Sequence, residues 1–232
     1  MNVNRLVVTV EATHQSLQQR LAEATRRIAR RSPPRERYAR TDAFLSATSR
    51  HLGAVDEVIL KAARHRLTDG PDRVRDYLHQ ARLLEQAMTQ LKARLYGEVH
   101  AAHRPWNDVW DDVRRELTRH NELERVLVED LAATLGKDAS DALASDLFHA
   151  EVRAPTRAHP HLPHTGLMGV VARRAWAVAD RFWDAAEGRV VPDPVRAHPR
   201  EHAHDSLMAQ YVTGEPRFDA DAPLIAHRRR RH

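Results

Sequence analysis

Apolar residues in this chain recur every three or four positions through roughly its first 155 residues, and the recurrence is cut repeatedly by residues that end helices. Leu6, Val10, Leu17, Leu21 and Ile28 predict a first helix over residues 4–31, stopped by Ser32, Pro33 and Pro34, which cannot continue the hydrogen-bond ladder. Phe44, Thr48, His51, Val55, Val58 and Ala62 mark the buried face of a second helix over 35–67, ended by the turn Thr68, Asp69, Gly70, Pro71. A third helix, 72–97, carries Val74, Leu78, Ala81, Met88, Leu91 and Leu95 on one face. A fourth begins at Pro105, carries Val113, Leu117, Leu123, Leu127 and Leu131, and is closed by Gly136 at its C′ position; a fifth spans 140–152. The expected fold is all-α: an up-and-down four-helix bundle over 35–154, an extra N-terminal helix within 1–34, and a Pro/His-rich C-terminal extension over 155–232.

Composition agrees with helices and removes several chemistries. Aromatic residues are only 5% and glycine numbers 8, the vocabulary of helices and not of sheets. Cysteine is absent, so disulfides, thiolate nucleophiles and sulfur-ligated metals are excluded, and any metal must be held by histidine and carboxylate. The longest early apolar run, Leu6 to Val10, is far short of the roughly 20 residues of a membrane span, and a cytoplasmic location is expected. The net charge of +5 is small beside 32 acidic residues, so nucleic acid is not the expected partner. There is no Gly-rich phosphate loop and no serine or cysteine nucleophile constellation, so no catalytic residue is assigned.

The informative polar residues lie on the apolar stripes. His120 and Glu124, four apart, share the core face of the fourth helix, where side chains three or four apart are neighbours. His51 holds a similar place on the second helix, and Glu85 falls four residues from Ala81 on the third. His149 sits on the fifth. The spacing from His51 to Glu85, His120 and His149 is about one helix plus its loop each time.

This succession resembles the hemerythrin-like (HHE cation-binding) family. The likeness rests on the segment from Ser49 to Val58, on Arg119-His120-Asn121-Glu122-Leu123-Glu124, and on Arg157-Ala158-His159-Pro160-His161, and it covers roughly residues 40–155. It implies a bundle whose inward histidines and carboxylates bind non-haem iron, as one ion or a di-iron centre, with dioxygen as ligand and oxygen or redox sensing as the role. The metal ligands it implies here are His51, Glu85, His120, Glu124 and His149. Two of the family's His-xxx-Glu pairs are replaced, by His79-xxx-Leu83 and His149-xxx-Arg153; Glu85 substitutes on one helix, and Glu151 or a histidine from 159 to 164 on the other.

Two other readings stay open. The missing pairs also suit a metal-free bundle acting as an interaction scaffold for a second copy or another protein, with the long N-terminal helix and the tryptophan-bearing C-terminal helix over 167–187 as docking surfaces; Trp106, Trp110, Trp176, Phe182 and Trp183 are expected to bury between the bundle and that helix. The run Arg228 to Arg231 could neutralise phosphates of a nucleic acid.

Overall fold

The computed structural model describes residues 4–26, 34–95, 104–154, 156 and 191–196. The expected helix over 167–187, the short one near 205–211, the histidines at 159–164 and 198–204, and the arginine run at 228–231 lie outside these residues. Among those described, the chain is all-helical, with no strand and no helix long and apolar enough to cross a membrane.

Helix α1 (Arg5–Thr25) starts where the Asn4 side chain accepts a hydrogen bond from the Leu6 amide at 3.0 Å, satisfying one of the donors that a helix start leaves open. Pro34 occupies the first position of α2 (Pro34–Glu57), where its missing N–H costs nothing. The single helix expected over 35–67 is interrupted at Val58, whose φ of −110° sets α3 (Ile59–Arg66) apart; backbone bonds from Val58 to Ala54 and from Ala62 to Val58 carry the ladder across. Helix α4 (Gly70–Leu95) begins two residues before the expected start, because Gly70 and Pro71 form its first turn and not a loop ahead of it. A Cβ at Gly70 would lie 2.3 Å from the Ala63 carbonyl oxygen, so only glycine lets α4 start this close to α3.

Helix α5 (Trp106–Thr134) and helix α6 (Lys137–Arg153) meet at Leu135 and Gly136. Gly136 follows the C-cap Leu135 as expected, but with φ −68° it is not a left-handed closure; it is the N-cap of α6, which therefore starts three residues earlier than the pattern suggested. The buried face of α5 is made by Val109, Val113, Leu117, Leu127, Val128 and Leu131, each contributing about 1.5–3 kcal/mol of burial. Leu123, expected on that stripe, is 41% exposed: at i+3 from His120 it falls past the edge of the face. Trp106 is exposed too, its ring covered by the Arg94 guanidinium 5.0 Å from the centroid, and Trp110 packs only partly against the core.

Helix α1 is not an appendage. It packs along α2, α5 and α6, while α4 packs along α5 and α3. Leu6, Leu17, Phe44, Leu84, Leu117 and Leu147 fill the space between these helices and are almost wholly shielded from solvent. All six helices belong to one compact unit.

Candidate metal centre

The same periodicity that builds the core places polar side chains inside it. On α1, His14 follows Val10 by four residues and precedes Leu17 by three; on α2, His51 follows Thr48 by three; on α4, Tyr77 follows Val74 by three. On α5, His120 and Glu124 lie between Leu117 and Leu127, and on α6, Glu151 follows Leu147 by four. All six are buried, Glu124 completely.

They converge on the Glu124 carboxylate. His51 Nε2 lies 3.0 Å from Oε1 and 3.2 Å from Oε2. His14 Nε2 is 3.4 Å from Oε2 and His120 Nε2 is 3.2 Å from it. The Tyr77 hydroxyl stands 3.4 Å from the same oxygen and 3.2 Å from His120 Nε2. On its other side the His51 ring donates Nδ1–H to Glu151 Oε1 at 2.7 Å, since a carboxylate can only accept. That bond fixes the ring's orientation and aims Nε2 at Glu124. A carboxylate on the outer nitrogen of a histidine is the usual support of a metal-ligating imidazole.

Electrostatics makes the centre hungry for positive charge. For Glu124, burial alone would raise the carboxyl, but His51 and His14, with the hydrogen bond from His120, outweigh it and hold the group well below its ordinary range. For His51, burial alone would favour the neutral ring, yet the charge and hydrogen bonds of Glu124 and then Glu151 push it up to about 10. Burial keeps His120 lowered, only partly offset by Glu124. Burial and the Glu124 charge push the Tyr77 phenol well above its usual value. Without a metal, one proton on His51 serves as the compensating cation between two carboxylates.

The donor set fits a metal ion. His14, His51 and Glu124 each offer a ligand atom, and these atoms lie within 4.8 Å of one another. Among the described residues, His14 Nε2 and Glu124 Oε1 are buried without an aligned hydrogen-bond partner, although His14 Nε2 lies 3.4 Å from Glu124 Oε2 and Glu124 Oε1 lies 3.0 Å from His51 Nε2. Mixed imidazole and carboxylate donors suit iron, zinc or manganese.

Of the expected ligands, His51, His120 and Glu124 are brought together. Glu85 is buried on the same face of α4 but stands outside the group: it lies two turns beyond Tyr77, about 12 Å along the axis. His149 is exposed against Phe148 and turned away from the site; its place on α6 is taken by Glu151. His14 and Tyr77 were missed, although both sit on apolar stripes by the criterion that found His120. Residues 192–195 line a small cavity together with Glu151 and side chains of α1 and α2, and Arg50 Nη1 donates to the Pro192 carbonyl at 2.7 Å.

Comparison with family models, with curated proteins and with solved structures found no match.

Proposed function

We propose that this chain is a hemerythrin-like metal-binding protein, in which α1, α2, α5 and α6 act as the four-helix bundle and a divalent ion, iron first among candidates, is held by His14, His51 and Glu124. The observation that carries this reading is that buried donor atoms of those three residues, from three helices, lie within 4.8 Å of one another, with Glu151 orienting His51. His120 steadies the remaining side of Glu124. Bound iron would supply a one-electron redox couple and open positions for a small ligand such as dioxygen, because three protein donors leave an iron shell incomplete. The chain's own contribution is to exclude bulk water, to keep Glu124 ionised and to hold His51 in one tautomer. Oxygen or redox sensing is the role this supports, and no reaction is assigned.

The test is iron content. The protein is loaded with ferrous iron under argon, desalted and assayed for iron per chain alongside His14→Ala and Glu124→Gln. Near-stoichiometric iron in the parent, lost in both variants while the helical circular dichroism persists, is the expected result. A parent that retains no iron overturns the reading.

A second reading has its own observation. The imidazolium of His51, clamped between Glu124 and Glu151, neutralises the centre with a proton alone. In that case the bundle is a metal-free scaffold for a second copy or another protein, and adding ferrous or zinc ions leaves its melting temperature unchanged.

A further inference from the structure

Helix α4 brings one polar side chain to the centre, and the metal reading above gives it no task. Tyr77 is 2% exposed, so its hydroxyl has no water to turn to. A buried phenol beside a carboxylate ordinarily makes a short hydrogen bond, about 2.5–2.7 Å for O–H···O⁻. Here the hydroxyl stands back at 3.4 Å from Glu124 Oε2, so the contact is a poor hydrogen bond. His120 faces the same group, its Nε2 lying against both the Tyr77 hydroxyl and Glu124 Oε2.

Tyr77 Oη, His120 Nε2 and Glu124 Oε2 form a nearly equilateral triangle with sides of 3.2, 3.2 and 3.4 Å. Those lengths match another kind of site. With metal–donor bonds of about 2.0–2.2 Å, neighbouring donors in a tetrahedral to octahedral shell are roughly 2.8–3.6 Å apart. All three sides fall in that range. The triangle shares Glu124 with the His14 and His51 donors, and it combines a phenol, an imidazole and a carboxylate, a set rich in hard oxygen donors.

We infer that Tyr77 is a metal ligand, binding a ferric ion as phenolate together with His120 and Glu124. The inference rests on the metal-binding reading of the centre. Ligation replaces the O–H bond of Tyr77 by an O–Fe bond, and the phenol proton leaves to solvent; iron enters and stays ferric, so no oxidant is required. Tyr77 thereby makes the site favour the ferric over the ferrous state.

The experiment loads the full chain with ferric citrate, removes the excess by desalting, and measures iron per chain, the visible spectrum and the resonance Raman spectrum of the parent and of Tyr77→Phe. The parent is expected to show a broad phenolate-to-iron charge-transfer band with enhanced phenolate vibrations that shift on ring-deuterated tyrosine. Tyr77→Phe is expected to lose both while retaining at least one iron per chain through His14, His51 and Glu124. Iron-loaded parent without the band, or a band that survives in Tyr77→Phe, overturns the assignment while leaving the metal site standing. If the parent keeps no ferric iron, this inference fails, while the metal reading itself stands or falls on the ferrous loading described above. Should Tyr77→Phe not fold, the triple variant Tyr38→Phe, Tyr96→Phe, Tyr211→Phe, in which Tyr77 is the one tyrosine left, must keep the band, and its loss there overturns the assignment.

Discussion

Replacing Glu151 by glutamine separates a supported metal ligand from an ordinary buried salt bridge. The Glu151 side chain is buried and accepts the His51 Nδ1 proton at 2.7 Å, a charge-assisted bond in the metal-free protein. Glutamine keeps an acceptor of the same shape but loses the charge, so the cost is that of a hydrogen bond to a charged group, about 1.5–3 kcal/mol. For a chain of this length that lowers the melting temperature by about 3–12 °C. A second effect appears only if metal binds. Loss of the carboxylate behind a ligating histidine weakens metal affinity about 10–100-fold. The assay is competition for ferrous or zinc ions against a chromophoric chelator, paired with thermal melts, for Glu151→Gln and for His149→Ala. His149→Ala, at an exposed position, is expected to stay within about 0.5 kcal/mol and to bind metal as the parent does. Unchanged metal affinity in Glu151→Gln, with a loss in His149→Ala, would refute the placement of Glu151 behind His51.

The metal-free protein should lose stability toward alkaline pH. His51 is ordinarily half-protonated at 6.5 and in the fold stays protonated up to about 10, so its contribution is complete below 6.5 and disappears as pH rises through 10; urea melts at pH 6, 8 and 10 should show a falling midpoint, and a flat or rising series contradicts the clamp. The two glycines should part company in chemical denaturation. Gly136→Ala meets open space at an ordinary φ, but it replaces the N-cap of α6 by a poorer one, so the entropy gain and the capping loss offset and the change should stay within about 1 kcal/mol, whereas Gly70→Ala drives a methyl into the Ala63 carbonyl and should destabilise by about 1–3 kcal/mol or more; a harmless Gly70→Ala would refute the close approach of α3 and α4.

The helices were legible because each buries one stripe, and the stripe is a local property. Their ends were less so: Gly70 and Gly136, read as turn residues, turned out to be the first residue of one helix and the N-cap of another. His51, His120 and Glu124 were found because they interrupt an apolar stripe. His14 does the same between Val10 and Leu17, but Ser32, Pro33 and Pro34 suggested a boundary that set its helix aside, and packing of α1 against α2, α5 and α6 is a long-range fact that periodicity does not contain. On α6 a preference for imidazole favoured His149 over Glu151, although Glu151 is the residue in register with Leu147. Glu85 is in register but at the wrong height, and height along a helix depends on how neighbouring helices are staggered.

The centre gathers side chains from position 14 to position 151, drawn from five of the six described helices. During synthesis, then, the first histidine is made early and must wait for α5 before its carboxylate partner Glu124 exists. Until α6 has docked, the His51 ring lacks the Glu151 carboxylate that orients it. Were an ion bound here, its occupancy would register the docking of α1 and α6, and a variant that frays either helix would be expected to release it before losing its helices.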